Sequence, residues 1–327
     1  MVMALARFNM VDPNATPESM SERYRAMLEI ADLADEHGFY GITLEEHHGA
    51  DNNWSPSPML TAGMVLARTT QLTCTLSALL LPLHDPIRVA EDLAVIDLVS
   101  QGRLNVILGL GYRPEEYHLL GKDWDNRGRL FDQSIETLLA AWSGEPFVYR
   151  GETVQVTPVP FTQPRPLVML GGSSKIACRR AARFGLPISL AANLPELEEY
   201  YYARCAEYGT EGFIMMPSAT TAMLWCSEDP DRSWAQLGHH FLHEAETYRQ
   251  WQTPDIRSAV HSQAQSADEL REEEIYQILT PEQMLERSRN PTTGGVLTLH
   301  PLVGGMPVAE AMTCMTLFVD QVIPHLG

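Results

Sequence analysis

LLLPLHDPIRVAEDLAVIDLVSQGRLNVILGLGYRPEEY, residues 79–117, is the stretch that decides the fold. It continues from residues 72–81, which are almost wholly apolar, the pattern of a strand buried on both faces. Asp85 and Pro86 then supply a helix start: an Asp oxygen accepts from the unpaired amides of a first turn, and proline lacks an amide that would be orphaned there. The apolar spacing carries that helix to Ser100, and residues 103–110 form a second apolar strand. Strand, helix and strand in immediate succession are the unit from which parallel sheets are built.

The alternation continues in both directions. Upstream, residues 4–10 read as a strand, 20–37 as a helix closed by Gly38, 41–45 as a strand and 58–69 as a helix. Downstream, a loop leads to a helix at 130–142, and FVYRGETVQV at 147–156 alternates around Gly151 as a β-hairpin inside an excursion of about 145–165. Strands at 167–170, 187–191 and 222–226 alternate with helices at 175–184, 194–208 and 231–251. Residues 252–277 are polar and aperiodic and are expected to form a mobile insert. Thr280-Pro281-Glu282 then starts a helix, GGVLTLH at 294–300 is a strand, and 308–324 is a final amphipathic helix. About eight strands, each followed by a helix and with no linker between them, predict the α/β class: a single (β/α)8 barrel with insertions, one domain over 1–327. Two α/β lobes divided near 157–166 are the competing architecture.

The chain has 327 residues, with Lys+Arg 23 against Asp+Glu 42 and a formal charge of −19. That excess repels phosphate backbones and anionic lipid, so nucleic acid and membrane surfaces are not expected partners. Five scattered cysteines without a CxxC pair suggest neither a disulfide framework nor a zinc cluster, and fit a reducing cytoplasm. No secretory leader or membrane-spanning run is expected.

In a barrel the chemistry lies just beyond the carboxyl ends of the strands. The second strand ends in Glu45-Glu46-His47-His48, groups suited to proton transfer near neutral pH. Alternation along the strand lets only one of the two histidines look straight into the mouth; structural histidines are the competing reading. No HxH or HExxH run adds ligands, so no metal site is expected. The fourth strand ends in Gly109-Leu110-Gly111-Tyr112-Arg113-Pro114, where glycines permit close approach of a flat ligand or merely a packing turn; the third glycine of a dinucleotide fingerprint is missing. Gly171-Gly172-Ser173-Ser174-Lys175 opens a helix and reads either as a phosphate cradle or as an ordinary cap. His300 follows the last strand, and Trp54, Tyr112 and Tyr117 suggest an apolar or aromatic guest.

LEEHHG at 44–49, SPSPML at 55–60, the 79–117 block, LVMLGGSSKIACRRAARFGLP at 167–187, LTPEQMLERS at 279–288 and LTLHPLVGGMP at 297–307 together resemble the bacterial luciferase-like flavin-dependent oxidoreductases. The resemblance covers nearly the whole chain and implies a (β/α)8 barrel with an excursion after its fourth strand. It implies that His47, accompanied by His48, is catalytic, and that Ser77 and Ala78 lie at a non-proline cis peptide beneath the isoalloxazine ring. Gly109, Gly111 and Tyr112 would also contact the cofactor, and Gly171, Gly172 and Ser173 its phosphate; Trp54, in a loop after a strand, and His300, at a strand end, are candidates for the substrate pocket by position alone. Leu110 stands where the luciferases place a phosphate-binding arginine. The implied chemistry is monooxygenation of a small organic molecule by reduced FMN and oxygen, with a separate NAD(P)H:flavin reductase and a homodimeric assembly. Hydride transfer with the deazaflavin coenzyme F-420 is the alternative, and a non-catalytic flavin-binding paralogue or subunit is the alternative of another class.

Overall fold

The computed structural model describes residues 2–253, 256, 260–293 and 295–326. In chain order the strands are β1 (Met3–Phe8), β2 (Gly41–Leu44), β3 (Thr73–Leu79), β4 (Leu104–Leu108), β5 (Phe147–Tyr149), β6 (Glu152–Val154), β7 (Leu167–Gly171), β8 (Ile188–Ser189), β9 (Ile214–Met215), β10 (Met223–Cys226), β11 (Tyr276–Leu279) and β12 (Val296–Leu299). The helices are α1 (Pro17–Glu36), α2 (Pro58–Arg68), α3 (Pro86–Ser100), α4 (Pro114–Leu119), α5 (Arg127–Trp142), α6 (Lys175–Phe184), α7 (Pro195–Tyr208), α8 (Pro230–Trp251), α9 (Ala267–Glu272), α10 (Pro281–Arg289) and α11 (Val308–Gln321).

Local capping chemistry sets several of these boundaries. Asp85 accepts from the Ile87 amide at the start of α3, and Gln101 ends that helix in the left-handed region at φ 54°. Thr280 and Gln283 close a reciprocal capping box on α10.

The chain folds as two compact units. The first comprises Met1–Thr43, Ala50–Ser55 and Pro217–Gly327; the second comprises Leu44–Gly49 and Pro56–Met216. In the first unit β12 pairs in parallel with β1 and with β10, and β11 pairs in parallel with the other side of β10. In the second, β3, β4, β7, β8 and β9 form a continuous parallel series, and β5 and β6 are the antiparallel hairpin expected at 147–156. All five cysteines are unpaired and buried. Among the described residues no helix is long and apolar enough to cross a membrane.

The structure corrects the local reading in three places. Residues 114–119, expected as loop, form α4. The insert expected at 252–277 contains α9, capped by Ser266 on the Glu269 amide, and runs into β11. β9, two residues long, was not anticipated. Each of these elements is too short to show a period, so hydrophobic spacing does not reveal it. Residues 254, 255 and 257–259 of that insert, and Gly294 of the last predicted strand, lie outside the described residues.

Charge is buried at the heart of the first unit. Glu244 on α8 is fully enclosed: one oxygen accepts from Arg7 Nη1 at 2.9 Å and from the Tyr276 hydroxyl at 2.6 Å, the other from His300 Nε2 at 2.7 Å and from the Asn9 amide. Burial alone pushes this carboxyl up, but the Arg7 charge and the His300 and Tyr276 contacts outweigh it and hold Glu244 well below the usual carboxylate range.

Candidate active site

Parallel pairing brings the carboxyl ends of β3, β4 and β7 of the second unit to one edge: Ser77 is level with Ile107, Leu79 with Leu108, and Leu108 with Leu170. The peptide bond between Ser77 and Ala78 is cis. Both residues are partly exposed at the end of a strand whose neighbours Leu76 and Leu79 are buried. Gly109 follows directly on β4 and donates its amide to the Leu79 carbonyl at 2.8 Å. A Cβ here would lie 2.9 Å from that of Ala78 and 3.0 Å from Leu80 Cδ2, so backbone and platform touch without intervening side chain. Gly109→Ala is expected to cost about 1–3 kcal/mol by overpacking and to displace Ala78. A drop in the urea midpoint together with weakened flavin binding checks it.

His47, just beyond β2, is buried and held at both ring nitrogens. Nδ1 lies 2.8 Å from Glu116 Oε1, and Nε2 lies 3.2 Å from the Tyr112 hydroxyl. The same Glu116 oxygen accepts from the His48 amide at 2.9 Å and from Arg113 Nη1 at 3.2 Å. An oxygen that already takes two such donors acts as acceptor toward the imidazole too. This assigns the proton to Nδ1 and leaves the Nε2 lone pair to Tyr112. A histidine oriented by a buried carboxylate with its other nitrogen facing a hydroxyl is a proton-handling arrangement. The second oxygen of Glu116 is buried without a hydrogen-bond partner.

His48 has a different partner from His47. Its Nε2 lies 2.7 Å from Glu46 Oε1, and His84 Nε2 approaches the same oxygen at 2.5 Å. Burial raises the Glu46 carboxyl, but these two imidazoles and the Leu80 amide more than compensate and bring it down to about 2.

At β7 the turn Gly171, Gly172 and Ser173 is partly exposed at the same edge. A Cβ on Gly171 would meet Ile107 at 2.9 Å and one on Gly172 would meet Ala177 at 3.0 Å, so packing alone already requires both glycines. Ser173 Oγ accepts from the Ala191 amide at 2.9 Å, and Ser174 caps α6 through the Ala177 amide. The amides of Lys175 and Ile176, at the first turn of α6, have no intrahelical carbonyl, and the Lys175 ammonium lies 5.5 Å from the Tyr200 ring. The two remaining sequence candidates lie in the first unit. Trp54 is buried with its ring 5.1 Å from those of Tyr248 and Trp251. His300 is fully enclosed on Glu244, and its Nδ1 has no hydrogen-bond partner.

Sequence reading named Glu46 only within the Glu45-Glu46-His47-His48 run and missed Glu116 and His84 as site residues. Pro114-Glu115-Glu116, a proline followed by acids, is a helix-start signal that would have exposed α4. Nothing local marks His84.

The second unit thus carries the Ser77–Ala78 cis peptide close against Gly109, His47 oriented by Glu116, and the Gly171–Ser173 turn at the start of α6. The fold is of the α/β class. The luciferase-like monooxygenase family profile matches residues 3–290, and the chain belongs to that family. Among curated proteins, a luciferase-like monooxygenase of Escherichia coli is 30% identical over 197 residues, covering 57% of this chain and 55% of that one. The oxygenase component of the flavin-dependent trigonelline monooxygenase of Acinetobacter baylyi is 26% identical over 156 residues, 46% of this chain and 43% of that protein. The chain spans about half the length of the curated relatives it matches. Among solved structures, the monooxygenase RslO1 of Streptomyces bottropensis aligns over 100% of both chains with a TM-score of 0.78 at 21% identity. The oxygenating constituent of 3,6-diketocamphane monooxygenase from Pseudomonas putida, a type II Baeyer-Villiger enzyme in complex with FMN, scores 0.74 at 16% identity, covering 100% of this chain and 99% of that one. An F-420-dependent secondary alcohol dehydrogenase scores 0.67 at 15% identity with the same coverage. These likenesses establish the α/β, (β/α)8 barrel of the luciferase-like type.

Proposed function

We propose that this chain is the oxygenase component of a two-component monooxygenase that uses reduced FMN and oxygen on a small organic substrate. The observation that carries the reading is His47, oriented through Nδ1 by Glu116 with Nε2 beside the Tyr112 hydroxyl. A non-catalytic flavin carrier has no need of that arrangement. Reduced FMN, when bound, supplies the electrons that activate oxygen. Ser77, Ala78 and Gly109 would support its ring, Gly111 and Tyr112 its edge, and Gly171, Gly172, Ser173 and the start of α6 its phosphate. His47 holds or accepts a proton at Nε2, Glu116 keeps its tautomer, and Arg113, bonded to Glu116 and to the His48 carbonyl, keeps the carboxylate in place.

The relative named as an oxygenase component and the neighbour in complex with FMN support this reading and, with it, a separate NAD(P)H:flavin reductase as partner. Deazaflavin hydride transfer is the second reading, favoured by the F-420-dependent neighbour. Five buried free thiols suit a reducing, cytoplasmic setting. A homodimer is supported by an apolar face on the packed pair α2 and α3, where Leu60, Met64, Val95, Leu98 and Val99 are exposed; its sedimentation mass tests that.

Anaerobic titration with reduced FMN and with reduced F-420 in parallel tests the cofactor. Saturable binding of FMN, at least tenfold tighter than the deazaflavin, is expected. The reverse preference would transfer the site to hydride chemistry, and no saturation by either would leave the fold without its cofactor.

A further inference from the structure

Three side chains of the second unit converge on one point. Glu46 and His48 follow β2; His84, 38 residues beyond Glu46, follows β3 and precedes α3. Both imidazoles turn Nε2 toward the same oxygen of Glu46, at 2.7 and 2.5 Å, and all three donor atoms lie within 4.8 Å of one another. The other oxygen of Glu46 is fixed by the Leu80 amide at 2.6 Å. The carboxylate is fully buried, whereas the His48 and His84 side chains keep 13% and 21% of their surface.

We propose that Glu46, His48 and His84 form a binding site for one divalent transition metal ion of the zinc class. Two imidazole nitrogens and one carboxylate oxygen, with an open position toward solvent, are the donor set such ions take when they keep a water or a further ligand. In the structure two N–H groups share a single acceptor oxygen, and a cation can take their place. Each neutral imidazole moves its proton from Nε2 to Nδ1, and no net proton is released by these neutral forms. Bonds of about 2.0–2.2 Å to each donor require donor separations a little over 3 Å, so both rings draw back slightly. Their partial exposure permits this, while the Leu80 amide keeps Glu46 in place as an outer partner orients a ligand. A net charge of −19 favours cation uptake. The Lys122 ammonium on the His84 carbonyl and Arg113 on the His48 carbonyl oppose it locally. Sequence spacing hid the site because its third ligand is remote in the chain.

The test uses the full chain, stripped with a chelator and re-equilibrated with zinc or cobalt(II). One equivalent of zinc per chain retained through gel filtration is expected. Cobalt should show the visible absorption of a low-coordinate nitrogen and oxygen site. His84→Ala and Glu46→Gln should each lose the equivalent and the cobalt spectrum, whereas His239→Ala, on α8 of the first unit, should keep both. Wild-type protein that retains no metal overturns the proposal without recourse to any variant. So does retention that survives in His84→Ala, which would place the ion at another histidine. The outcome does not depend on which cofactor the neighbouring edge binds.

Discussion

Replacing His47 by alanine is expected to lower product formation by roughly 10² to 10⁴, the range for a lost general acid or base, while reduced-flavin affinity changes by no more than a few fold. The asymmetry follows from geometry. His47 is gripped through Nδ1 by Glu116 and presents Nε2 to Tyr112, so it handles a proton at one defined atom, whereas the platform at Ser77, Ala78 and Gly109 is built from other elements. Oxygen consumed without product should rise and leave the enzyme as hydrogen peroxide. Glu116→Gln retains an oxygen for the three donors but loses the charge, and should fall between parent and His47→Ala. Turnover with reductase-supplied FMN, with peroxide quantified beside product, measures all three. Parent-like turnover in His47→Ala would remove the residue from the chemistry and leave the likeness one of fold alone.

Glu244→Ala should be the most damaging single change to stability, costing about 3–5 kcal/mol because it leaves the Arg7 guanidinium buried without its counter-charge. Replacing Arg7 and Glu244 together with apolar residues of similar volume should cost far less, since the desolvation of both charges disappears as well. The pH dependence has a definite sign. Glu244 titrates below its ordinary value of 4.5, so its contribution is complete above that pH and is lost as pH falls toward its depressed folded-state value. Glu244→Gln should flatten the acid limb of the stability curve below about pH 4.5. Chemical denaturation followed through Trp54 and Trp251, which belong to the same unit, reports it; an unchanged acid limb would show that the carboxylate is not held down by its partners.

Most of the element order was legible because helix starts are local chemistry. Asp85 with Pro86, Ser174, and Thr280 with Pro281 need only their own first turn to act, and α3, α6 and α10 respectively begin where those residues place them. His47 was legible as a member of a histidine pair just beyond a strand, and the two histidines do take different partners, Glu116 and Glu46. What organises these residues was not legible. Glu116 reaches His47 across 69 positions, His84 reaches Glu46 across 38, and Glu244 collects Arg7 from 237 positions away. Such pairings have no period, and an acid that will be buried looks in the sequence like any surface acid. β11 was hidden for a related reason: four residues in a polar stretch become a strand only because β10 offers an edge.

The buried thiols have a practical consequence. Burial pushes Cys178 up to about 11, Cys226 up to about 12, and Cys74 and Cys314 higher still, so at neutral pH these sulfurs are neither ionised nor accessible to reagents. A cysteine introduced at Val148, 73% exposed on the hairpin, would then outcompete all of them for a maleimide dye. The chain can carry a single fluorophore at a chosen position without first being stripped of its native cysteines, which makes it a ready scaffold for distance measurements by energy transfer.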